Sequence, residues 1–149
     1  MFNMKRILFI LVLILILLAG TYGYYRINPL TPTATIKGKK FAVELAVTGK
    51  EIEKGLSRRT SLLPGHGMLF IFNHKERYPF WMGGMQFPLD FIWMDGNQIV
   101  EITKNVPNLQ DGIAPRITPT VPIDKVLELN AGEVDALGIV VGDTALFNK

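Results

Sequence analysis

The sequence predicts a small, mainly β domain of the α+β class, barrel-like or sandwich-like, with one short helix, preceded by an N-terminal transmembrane helix. Three observations predict it. The high mean hydropathy of the 149-residue chain, +0.25, is concentrated in one uncharged run near the N-terminus. Without that run about 43% of the residues are apolar, an ordinary globular composition. The remainder is built of short alternating or apolar segments between Gly, Pro and Asn turns. It has none of the regular strand–helix repeats of a parallel α/β sheet.

The first element is the N-terminal run. Ile7 to Leu18 is unbroken Ile, Leu, Val and Phe, and the uncharged stretch continues to Tyr25. As a helix it would measure about 28 Å, close to a hydrocarbon core of about 30 Å. Lys5 and Arg6 precede it, which keeps the N-terminus cytoplasmic, and Tyr22, Tyr24 and Tyr25 fit an aromatic belt at the far headgroups. Residues 1–26 are therefore read as a signal anchor. A cleaved signal peptide is the alternative, in which case the domain is secreted, but the small-x-small cleavage pattern is poor. Residues 27–34, Pro- and Thr-rich, read as a linker, and 35–149 as the exported domain.

Within that domain, Thr35-Ile36, a Lys37-Gly38-Lys39 turn and Lys40 to Val47 form a hairpin. Phe41, Val43, Leu45 and Val47 alternate with Ala42, Glu44 and Ala46, as in a half-buried strand. Thr48 and Glu51 have capping-box spacing and open a short helix. Met68 to Phe72 and Leu89 to Met94 are strands, and Gln98 to Thr103 returns after an Asp95-Gly96-Asn97 turn. Asn105 to Pro122, with four prolines, reads as a loop. Lys125 to Leu129 is a strand and Ala131 to Leu137 one helical turn. Ile139 to Val141 and Thr144 to Phe147 are expected to close the domain as a last hairpin.

Charge and composition exclude several functions. The net charge of +3 comes entirely from Lys5, Arg6 and Arg26, and the rest balances thirteen basic against thirteen acidic residues. The domain thus lacks the basic surplus of a nucleic-acid binder. Without cysteine there are no disulfides, thiolate metal sites or thiol catalysis. His66 and His74 lack zinc-ligand spacing, and no Gly-x-Ser-x-Gly elbow is present. No cofactor is expected.

The richest stretch is Pro79 to Asp95. Asp90 and Glu128 are carboxylates inside apolar strands, positions that need a partner or a solvated face. They could form a general acid/base pair, or each could pair with Arg58, Arg59 or Lys125. Phe80, Trp81, Phe87 and Trp93 could line a ligand platform or fill the core. Trp81, just before Gly83-Gly84, is the one expected at a rim. Met82 and Met85 could offer thioethers to Cu(I), or be core residues.

The motifs Gly55-Leu56-Ser57-x-Arg59, Gly67-Met68-Leu69-Phe70, Phe80-Trp81-Met82, Gly84-Met85, Phe87-Pro88-Leu89-Asp90, Val126 to Gly132 and Gly138-Ile139-x-Val141-Gly142-Asp143 resemble the DUF192 (UPF0127) family over 36–147. The resemblance implies a small β-rich fold and no established activity. Many members carry Lys-Asn-Thr after Phe-Trp-Met, where this chain has Gly83-Gly84-Met85.

The resulting expectation is a membrane-tethered, extracytoplasmic binding or accessory domain, monomeric, for a small molecule or an envelope component. Arg59, Trp81, Met82, Gly84, Asp90 and Glu128 are its expected ligand contacts, with Arg59 paired to Asp90 or Glu128 beneath Trp81. The alternatives are a hydrolase-like enzyme using Asp90 and Glu128 and a Cu(I)-binding protein using Met82 and Met85.

Overall fold

The structure, a computed structural model, describes residues 4–27, 31–109 and 111–148. The chain divides into two units, Met1–Leu30 and Thr31–Lys149.

The first unit is a single helix, α1 (Met4–Ile27), exposed from Ile7 to Leu18. Among the described residues no helix is long and apolar enough to cross a membrane. The side chains of the expected tyrosine belt at 22–25, and residues 28–30 of the expected linker, lie outside what the structure describes.

The second unit begins with a hairpin, β1 (Thr33–Ile36) and β2 (Lys39–Ala46). The last two residues of the expected linker, Thr33 and Ala34, therefore belong to the sheet. α2 (Gly49–Lys54) follows, opened by the predicted capping box: Thr48 accepts from the Glu51 amide, and Glu51 accepts from the Thr48 amide at 2.9 Å. Then come β3 (His66–Glu76), β4 (Phe80–Trp81), β5 (Leu89–Asp95), β6 (Gln98–Val106), β7 (Arg116–Ile117), β8 (Ile123–Asn130), α3 (Glu133–Leu137) and β9 (Ala145–Asn148).

Seven strands form one curled half-barrel sheet in the order β6-β5-β8-β3-β2-β1-β9. Only β2 and β3 run parallel, and α2 lies in their crossover. The two edges of the sheet meet at an isolated bridge, Gln98 to Thr144, where the Ala145 amide donates to Asn97 and the Ile99 amide to Asp143, both at 2.9 Å.

Alternation along each strand sorts the core into two layers. The inner layer draws on all seven strands, including Ile36, Phe41, Leu69, Ile92, Ile99, Leu127 and Ala145. The outer layer takes the alternate positions, Met68, Phe70, Phe91, Trp93 and Val126. It is covered by Leu56 and Leu62 after α2 and by Met82 and Met85 after β4.

Two expectations fail. Ile139 to Val141 is not a strand. The Asp143 carboxylate accepts from the Val140 amide at 2.9 Å and folds 140–143 into a turn, so β9 pairs with β1 instead. The proline-rich loop also contains a strand, β7, which pairs with β4 in a separate two-stranded sheet.

Candidate functional site

The β4–β7 ribbon and the segment after α2 stand over the outer layer and leave a cavity of about 560 Å³ between them. That volume is in the range of small-molecule sites. The two walls are joined by one backbone bond, in which the Arg58 amide donates to the Gly84 carbonyl at 2.8 Å. Gly84 has φ of +75°, a left-handed conformation that favours glycine. Arg58 is itself left-handed, φ +65°.

Gly83 has a different reason. A Cβ there would lie 2.5 Å from the Trp81 indole, so the ring rests directly against the glycine backbone. Trp81 is 59% exposed at the cavity wall. Its cross-strand partner Arg116 places its guanidinium carbon 5.1 Å from the ring centroid.

The inner wall is aromatic. Phe80 packs edge-on against Phe70, Phe91 and Trp93 at 5.0, 5.7 and 5.4 Å, and Phe72 stacks on Tyr78 at 3.7 Å. Among these apolar groups lies the carboxyl of Glu128. It sits on β8 between Met68 of β3 and Phe91 of β5. The residue is 5% exposed, and its Oε2 is buried without a hydrogen-bond partner. Lost hydration disfavours the charged form and pushes its pKa up to about 8. At neutral pH the group is therefore mainly a protonated acid, able both to donate and to accept a hydrogen bond.

Trp81, Met82, Gly84 and Glu128 line this one cavity, as does Met85. Met82 and Met85 belong to the buried outer layer, together with Met68. Asp90 and Arg59 lie elsewhere. Asp90 stands opposite Leu129 in the β5–β8 ladder and Glu128 opposite Phe91, so the two acids project from opposite faces of the sheet. No acid/base pair is formed. Asp90 instead accepts from the amides of Asn105 at 2.7 Å and Val134 at 3.0 Å. Arg59 makes a two-pronged pair with Glu44, at 2.5 and 2.7 Å. The Arg59 guanidinium holds the Glu44 carboxyl below its ordinary range. So exposed a pair contributes about 0–1 kcal/mol.

The sequence reading omitted Arg58, Tyr78 and Phe72 from the site. The aromatic run Tyr78-Pro79-Phe80-Trp81 was the available signal for Tyr78. The motif Gly55-Leu56-Ser57-x-Arg59 pointed to Arg59 and passed over Arg58.

The model of the DUF192 family, described as "Uncharacterized ACR", matches residues 32–147. Two solved structures are similar. A proposed transcription regulator from Sinorhizobium meliloti 1021 is 33% identical, with a TM-score of 0.70 over 78% of this chain and 92% of that one. A protein of unknown function from Novosphingobium aromaticivorans DSM 12444 is also 33% identical, with a TM-score of 0.68 over 78% and 83%. No curated protein matches the chain.

Proposed function

The chain belongs to the DUF192 family, and from that starting point we propose that its domain is a small-molecule binding module held outside the cytoplasm by its N-terminal helix. One observation carries the binding reading. A carboxyl group is buried without a hydrogen-bond partner against a cavity large enough for a ligand. An unsatisfied buried polar atom costs about 1–3 kcal/mol, and a ligand that bonds it recovers that loss. The label of transcription regulator carried by one similar structure is not extended to this chain. Its domain balances acidic and basic residues, whereas DNA binding needs a surplus of cations along the phosphates.

The test uses the full chain in lipid nanodiscs and a library of aromatic and aliphatic acids, amides, alcohols and amines. Compounds that occupy the cavity should raise the melting temperature, by about 2.7 kcal/mol of stability at a hundred times Kd. They should also shift the emission of the half-exposed Trp81. Glu128→Leu, which replaces the unpartnered carboxyl by an apolar side chain, should weaken the response to compounds that carry a hydrogen-bonding group at the inner end, by the worth of that one bond. A library in which nothing stabilises the protein or perturbs Trp81 overturns the reading.

Tethering is supported by the sequence alone: nineteen uncharged residues, Ile7 to Tyr25, follow Lys5-Arg6. Protease added outside intact spheroplasts should digest the domain. Protection equal to that of a cytoplasmic control refutes export.

A further inference from the structure

The cavity has two chemically different ends, and their polarity narrows what can fill it. At the inner end is Glu128, whose Oε2 has no partner. The exposed part of the lining carries Lys54 and Arg58. Among the described residues neither of these side chains has a hydrogen bond or an ion pair, although Lys37, Arg59, Lys75, Arg77, Lys104 and Lys125 do. Glu53 is the one acid in the exposed lining. The Arg116 guanidinium beside the Trp81 ring adds positive charge next to it.

We propose that the ligand is an amphiphilic anion: a carboxylate or similar group held at the mouth by Arg58 and Lys54, an apolar body along the aromatic wall, and a neutral hydrogen-bond acceptor at the inner end that takes the proton offered by Glu128. The proposal rests on the binding reading above and specifies its ligand.

The alternatives fit less well. A cationic ligand would have to pass Lys54 and Arg58, at a cost that low-dielectric walls increase. A purely apolar ligand would leave Glu128 without a partner. An inner acceptor such as a ketone or amide oxygen satisfies that group without burying a charge. The titratable and charged groups that share the lining with Glu128 are Glu53, Lys54, Arg58 and Tyr78. None of them perturbs Glu128; the cause of its retained proton is burial alone.

Four matched probes test this on the full chain in nanodiscs, with Trp81 emission as the readout. They are para-acetylphenylbutanoate, its primary amide, the corresponding alkylammonium, and phenylbutanoate, which lacks the inner ketone. The ketone-bearing carboxylate should bind about tenfold more tightly than its amide, and the ammonium should be weakest. Loss of the ketone should weaken binding by about three- to tenfold, the worth of one net hydrogen bond. Arg58→Gln, at an exposed position, should remove most of the preference for carboxylate over amide, the loss falling mainly on the carboxylate. Glu128→Leu should make phenylbutanoate and its ketone analogue equal. Equal or tighter binding of the ammonium or the amide overturns the assigned polarity while leaving the cavity a binding site. Failure of all four probes, together with a silent library, removes the site itself.

Discussion

Asp90→Ala should destabilise the domain by about 2–6 kcal/mol, the largest loss expected from a single polar truncation in this structure. The carboxylate is fully buried and accepts two backbone amides. One belongs to Val134, in the first turn of α3. The N-cap of that helix is Gly132, which has no side chain to offer, so Asp90 supplies the cap from a neighbouring strand. The other belongs to Asn105, a non-glycine residue at φ +53° near the end of β6, in a conformation that needs an external tie. Alanine leaves both amides orphaned, each at a cost of about 1–3 kcal/mol. Asn keeps one acceptor and should lose about half as much. The check is the urea midpoint of the full chain followed by the fluorescence of buried Trp93, with the slope unchanged. If Asn and Ala cost the same, the two amide bonds are not the source of the effect.

The fate of Asp90 also shows where sequence reasoning stops. Its strand was legible, because Leu89 to Met94 is an apolar run between turn residues. So were the β1–β2 hairpin, from alternation, and α2, from the Thr48–Glu51 spacing. What strand sequences do not contain is their mutual register. In the observed ladder Asp90 faces Leu129; a slip of one residue would set it opposite Glu128 and put both acids on one face. The notion of an acid pair failed on that single step. The β4–β7 ribbon was invisible for another reason. Two residues per strand give no period, and the prolines around Arg116 read as loop. Arg59, expected to pair with Asp90 or Glu128, pairs with Glu44 instead, because the parallel β2–β3 pairing brings the chain after α2 back beside β2. The Trp81 rim was legible because a glycine pair just after it marks a turn and so a strand end, and β4 ends at Trp81, which is exposed.

Glu128→Gln should stabilise the protein, by an amount that grows as the pH rises from about 4.5 to about 8. The ordinary carboxyl value is 4.5, and burial raises it to about 8 in the folded state. Below the lower value both folded and unfolded chains hold the proton, so the residue contributes no slope. Between the two values the unfolded chain ionises while the folded chain keeps its proton. Stability then falls with rising pH, by about 1.4 kcal/mol per unit. The loss accumulates to about 5 kcal/mol near pH 8 and levels off above it. Gln is neutral throughout and has no such slope. Glu44 and Glu51, whose pKa values are lowered, act in the opposite direction in acid, but they are common to both proteins and cancel in the difference. Urea midpoints of the two proteins should therefore coincide near pH 4 and separate steadily up to pH 8, with the variant the more stable. Parallel profiles would mean that Glu128 is solvated or paired in solution, and the binding site would lose its defining group. Divergence in the expected direction identifies a residue that weakens the fold it belongs to, which is the usual mark of a side chain that serves binding rather than folding.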